Sequence, residues 1–229
     1  MQRNLKGNRV LFTIEMLSHN GYGKAFFFVT YSKYFYRKKQ MLLQEEVTKT
    51  IEALKAGKTI LYPTDTIWGL GCDATNPGAV QKVYDIKERD ESKAMLILIW
   101  KIEQLRDYVV NIPDVAWDIV DFSEKPLTVI YPKGKNVAPN VLAKDGTIAI
   151  RLVRDEFCQA VLKKFNKAIV STSANLSSKP SAPTFKDIDP TIIQKVDHVV
   201  QFRQNDNSIS NPSVLMKIEL NGEIKFLRK

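Results

Sequence analysis

Residues 60–73 read ILYPTDTIWGLGCD. An apolar run that looks like a strand gives way to Pro63-Thr64-Asp65-Thr66, followed by two glycines around Leu70. A strand that only supports a core has no use for three small polar residues at its end, whereas a site placed there does. In open α/β sheets, ligands bind at the carboxyl ends of strands.

The same style of segment recurs along the chain. Further apolar β-type runs occupy 94–99, 126–131, 147–152, 167–172, 198–202, 213–220 and 223–228, besides 59–64. Asn221-Gly222 between the last two is a hairpin signal. Helical patterns intervene at 41–57, 77–88, 113–122 and 154–165. Pro77 stands where a first-turn proline belongs, with Val80, Val83 and Tyr84 on one apolar face. This alternation predicts an α/β fold with a sheet covered on both faces.

Of the chain's 229 residues, 44% are hydrophobic and 26% charged, an ordinary globular composition. The formal net charge of +9 is unevenly spread. Residues 1–40 carry eight Lys/Arg against Glu15 alone, leaving 26 basic and 24 acidic residues for 41–229. Whole-chain charge is therefore poor evidence for a nucleic-acid-binding body. Residues 1–40 also hold nine of the 22 aromatics, with no clear period. Their longest apolar run, AFFFV, is too short to span a bilayer, and no signal-peptide pattern accompanies it. They read as a basic-aromatic arm, a surface anchor or residues upstream of the natural start. The last is favoured, because Met41 opens a well-formed helix pattern, so the expected division is a 1–40 leader and a 41–229 domain.

Cys72 and Cys158 are far apart, which suggests free thiols in a reducing cytoplasm rather than a zinc site or disulfide framework. The body contains one histidine, His198, so triad hydrolysis is disfavoured.

Four features could carry chemistry. Gly69–Ala74 fits G-x-G-x-x-A, but Asn76-Pro77-Gly78 delays the helix that a dinucleotide fingerprint needs at once. The glycines instead suggest a tight turn or a close backbone approach to a ligand. Lys87-Glu88-Arg89 with Lys93 closes the 77–88 helix, either relieving its dipole or facing an anion. Lys87 follows Val80 by seven residues and so lies along the buried face. Ser171-Thr172-Ser173-Ala174-Asn175 ends another strand, as a site or as a Ser/Asn turn. Thr147 and Arg151 are expected on one face of a strand. Hydroxyls, amides and cations without a histidine base suit phosphoryl or nucleotidyl transfer, where positioning and charge stabilisation dominate.

The run YPTDTIWGLGCDA, Lys87-x-Arg89, PLT at 126–128, AIR at 149–151 and STSANLSSKPSAPT at 171–184 resemble the YrdC family of L-threonylcarbamoyladenylate synthases. The match spans roughly 41–229. It implies a twisted mixed β-sheet flanked by helices around a positively lined cavity. It also implies a reaction of L-threonine, bicarbonate and ATP, giving threonylcarbamoyl-AMP and pyrophosphate for N6-threonylcarbamoyladenosine formation in tRNA. Thr66, Arg151 and Ser171 would hold threonine. Lys87, Arg89, Lys93, Thr147, Ser173, Asn175, Ser181 and Arg228 would surround ATP, with Lys87, Arg89, Ser173 and Asn175 carrying catalysis. Mg2+ would come with ATP and not on a protein-ligated site, and a downstream threonylcarbamoyl transferase machinery would take the product. The sequence departs from the family pattern at Asp90, at Leu98 and in NPSVLMKIEL. The alternative reading is a YciO-like paralogue, a nucleotide- or RNA-binding module with little synthase activity.

Overall fold

The computed structural model describes residues 23–90, 94–208 and 211–228, and its contacts divide the chain after Met41. The first helix, α1 (Gly23–Lys55), begins well before the Met41 expected from the apolar pattern. No glycine or proline stands between Lys24 and Ala56, and a formed helix propagates more easily than a new one nucleates. From Leu42 onward, Leu43, Val47, Ile51 and Leu54 form a buried stripe. Gly57, at φ +66°, closes the helix. Its N–H donates to Leu54 O, and Lys58 N–H donates to Ala53 O.

Among the described residues nine strands follow: β1 (Ile60–Tyr62), β2 (Gly69–Gly71), β3 (Leu96–Ile99), β4 (Leu127–Tyr131), β5 (Ile148–Leu152), β6 (Ile169–Ser173), β7 (His198–Val199), β8 (Val214–Ile218) and β9 (Ile224–Arg228). They form one mixed sheet in the order β7-β1-β2-β6-β3-β5-β4-β8-β9. The helices between them are α2 (Pro77–Lys87), α3 (Leu105–Tyr108), α4 (Val115–Asp121), α5 (Glu156–Phe165) and α6 (Pro190–Lys195). The expected α/β architecture is present, and Asn221-Gly222 joins an antiparallel β8–β9 pair as its turn chemistry implies. The single-turn α3 and the short α6 lie below the length at which an apolar period can be read.

The two faces of the sheet bury different cores. On one, Ile60, Tyr62, Leu98 and Ile169 pack with α1 and α5 through Leu43, Val47, Phe157 and Val161. On the other, Leu61, Leu70, Ile97, Ile150 and Val170 pack with α2 and α6 through Val80, Val83 and Ile192. Cross-strand partners share a face, so the register defines rows. One row reads Ile169–Leu98–Arg151–Thr128–Leu215–Arg228 and its neighbour Ser171–Leu96–Ala149–Ile130–Lys217–Lys225. Arg151 and Ser171 therefore share the α1/α5 face.

The 60–73 stretch is a hairpin. β1 and β2 pair antiparallel, Tyr62 against Gly69 and Ile60 against Gly71, with Pro63–Trp68 as the connection. The tight turn expected of the glycines is corrected here, because both lie inside a strand. A Cβ on Gly71 would stand 1.9 Å from Val170 O of neighbouring β6. The close approach is to this chain's own backbone, the usual meaning of a glycine within a strand. Gly71→Ala is expected to lower the unfolding free energy by about 3 kcal/mol, read as a lower urea midpoint at unchanged slope.

Candidate active site

The hairpin connection and β5 meet at a buried hydroxyl–guanidinium cluster. Arg151, 3% exposed, donates from Nη1 to Thr66 Oγ1 at 2.9 Å. Thr64 Oγ1 donates to Ile67 O at 2.8 Å and accepts from Thr66 N at 3.0 Å. Its own proton being used, it accepts the Thr66 hydroxyl proton across 3.0 Å. Thr66 is thus fixed as acceptor toward Arg151. Asp65 completes the cluster, its Oδ1 3.3 Å from Arg151 Nη2. Ser171 lies two strands away on the same face, near Tyr62, whose hydroxyl donates to Val170 O at 3.4 Å. Burial, above all, pushes the Tyr62 hydroxyl up from its ordinary value. Missing side-chain atoms at Gly69 make the room: a Cβ there would lie 3.2 Å from both Ser171 Oγ and the Tyr62 ring.

A second cluster joins the end of α2 to the loop after β6. Lys87 is buried, and its Nζ donates to Ser173 O and to Asn175 O, the latter at 2.6 Å. Its backbone carbonyl accepts from Ser177 N at 3.0 Å, so main chain and side chain both clasp this loop. Burial, and then the neighbouring Arg89, pulls the Lys87 ammonium down to about 7. Asn175 Nδ2 donates to Leu176 O and Lys179 O at 2.8 and 2.6 Å, and its buried Oδ1 has no hydrogen-bond partner. Arg89 donates from Nη2 to Ala94 O at 2.9 Å.

The remaining expected residues are more scattered. Thr147 precedes β5 rather than sharing the strand with Arg151, because Asp145 Oδ1 accepts its N–H at 3.0 Å and holds a turn. Arg228 donates from Nε and Nη2 to Ser213 O, at 3.0 and 2.8 Å, at the sheet edge. Ser181 sits in the loop after β6, and Lys93 lies outside the described residues. His198 is in β7, its Nε2 3.3 Å from Thr50 Oγ1. Burial pushes both cysteine thiols up, away from thiolate chemistry. Among the described residues no group of three His, Cys, Asp or Glu could hold a metal ion, and no helix is long and apolar enough to cross a membrane.

Residues 52–229 match the profile of the Sua5/YciO/YrdC domain, described as "Telomere recombination". The chain belongs to the Sua5/YciO/YrdC family. A threonylcarbamoyl-AMP synthase of Pseudoalteromonas translucida is 30% identical over 184 residues, which cover 79% of this chain and 97% of that one. The fold resembles the Pyrococcus abyssi (P. abyssi) Sua5 structure complexed with L-threonine, at TM-score 0.66 and 24% identity. That match covers 75% of this chain and half of the Sua5 chain. It equally resembles E. coli YciO, at TM-score 0.69 and 20% identity, over 83% of this chain and 89% of that one. Within the Sua5/YciO/YrdC fold of this chain, sequence reasoning assigned no role to Asp65, and no local signal links it to an arginine 86 positions later. Nor did it foresee that Lys87 would be held by the loop it was expected to face across a ligand.

Proposed function

We propose that this chain is an L-threonylcarbamoyladenylate synthase. L-Threonine takes up bicarbonate on its amine as an N-carboxylate, with loss of water. One oxygen of that carboxylate attacks the α-phosphate of ATP, the bond to the β-phosphate oxygen breaks, and pyrophosphate leaves. The nucleophile is already an anion, so the scarcity of histidine is no obstacle. The observation that carries the reading is the buried Arg151–Thr66 pair on the same sheet face as Ser171, a fixed guanidinium suited to an amino-acid carboxylate. Names of relatives 30% identical over most of their length support it. Ser173, Asn175, Lys87 and Arg89 are assigned to ATP and its departing phosphates, with Thr147, Ser181, Lys93 and Arg228 at the nucleotide's periphery. Mg2+ enters on the triphosphate. The class is nucleotidyltransferase, the setting cytoplasmic, and the product passes to a threonylcarbamoyl transferase acting on tRNA.

ATP–pyrophosphate exchange that requires both threonine and bicarbonate tests this directly. Nucleotide binding without such exchange would leave the YciO-like reading instead. Threonine should be preferred over serine by the worth of one methyl, roughly 1–3 kcal/mol or about 10- to 200-fold in kcat/KM. Discrimination in the thousands would contradict a simple methyl pocket. A chain starting at Met41 retains Leu43, Val47, Ile51 and Leu54, the buried stripe of α1. It is expected to fold and to keep exchange activity within about twofold, since the truncation leaves that stripe whole.

A further inference from the structure

The Asp65–Arg151 pair is unfinished. A buried arginine and carboxylate ordinarily close through charge-assisted, often bidentate hydrogen bonds. Here the side chains are 4% and 17% exposed, yet Nη2 and Oδ1 stand 3.3 Å apart without a hydrogen bond. Arg151 Nη1 is committed to Thr66, and Arg151 Nε is buried with no partner. Asp65 Oδ1 is likewise buried and unpartnered, while its Oδ2 accepts only a 3.5 Å contact from Arg154 N. Each charge therefore keeps one unmet hydrogen-bonding atom, and such atoms are costly. A cation would satisfy Asp65 and leave Arg151 wanting; an anion would do the reverse. A ligand carrying both charges on adjacent groups satisfies both.

We propose that Asp65 recognises the α-ammonium of the amino-acid substrate while Arg151 takes its α-carboxylate, the zwitterion inserting into the loose ion pair. The assignment of Asp65 rests on the synthase reading and adds a specificity-determining residue to it. Access is consistent with the surroundings. Asp65 borders an open cleft with Ser123, Lys125 and Arg154, and Thr66 borders another with Trp68 and Thr184. Parting the pair breaks no hydrogen bond between the two side chains, and the zwitterion's own two charges replace the ion pair that is parted.

The experiment is a set of calorimetric titrations of the full chain and of Asp65→Asn, each with L-threonine and with the matching 2-hydroxy acid, in which a hydroxyl replaces the amine. The wild-type chain should bind threonine about 10- to 100-fold more tightly than the hydroxy acid, the worth of one hydrogen bond between charged groups. Asp65→Asn should lose that preference by weakening threonine alone. Equal weakening of both ligands would mean that Asp65 only orients Arg151, and would overturn the assignment. So would a wild-type chain indifferent to the amine, an arm that needs no variant to fold. A wild-type chain that takes neither ligand overturns the synthase reading as well as this one, and is thereby distinguished from failure of Asp65 alone.

Discussion

Lys87→Met is expected to reduce exchange activity by about a hundredfold or more while the chain stays folded. The Lys87 ammonium donates to the carbonyls of Ser173 and Asn175, two of the residues proposed to meet ATP. Methionine fills similar volume but leaves both buried acceptors without that donor, at about 1–3 kcal/mol each. The loop can recover these bonds only by moving toward water. Displacing reacting groups by about 1 Å is enough to cost about a hundredfold. Stability against pH separates this role from generic packing. Lys87 titrates near 7 in the folded chain, against 10.5 for an ordinary lysine. Between those values the unfolded chain binds more protons, so stability rises with pH from about 7 to about 10.5. Below about 7 both states are protonated, and folding carries the full cost of burying the charge. Melting temperatures across that range should climb for the wild-type chain and flatten for Lys87→Met. A variant with unaltered exchange rates and an unaltered pH profile would reduce Lys87 to a helix end.

Arg151→Ala is expected to act on the amino acid first, with threonine affinity down by about a hundredfold and ATP affinity within about threefold. An ion-paired hydrogen bond contributes about 1.5–3 kcal/mol, and the guanidinium also fixes the proton order of Thr66 and Thr64. Removing it strands Asp65, which is mostly buried, so stability should fall too, by about 3 kcal/mol. Arg151→Lys keeps the charge but loses the planar fork. It should recover stability while recovering little threonine affinity. Titrations with each ligand, alongside urea melts, distinguish these outcomes; equal loss of ATP and threonine binding would place Arg151 in the scaffold instead.

Much of this was legible locally. The apolar runs at 94–99, 126–131, 147–152 and 167–172 became β3 to β6 because each buries a side chain on both faces of a covered sheet. Asn221-Gly222 announced its hairpin because Gly222, at φ +84°, meets the backbone demand of the turn. Pro77 marked the start of α2 in the same way, and the structure adds the Asn76 cap, whose Oδ1 accepts from Ala79 N at 3.0 Å. Strand β2 was hidden, since Gly-Leu-Gly has poor strand propensity. Its Gly71 answers to Val170 O, a backbone atom about a hundred positions away in the chain. Lys87 could be placed on a buried face by its spacing from Val80, but not against the Ser173–Asn175 carbonyls. Arg151 could be read as a site residue, but not as paired with Asp65. The sequence by itself determined most of the longer strands and helices, and which side chains were equipped for an anionic substrate. Only the tertiary structure decided which of those groups are already committed to one another, because hydrogen bonds across the sheet depend on register and approach rather than on any neighbour in the chain.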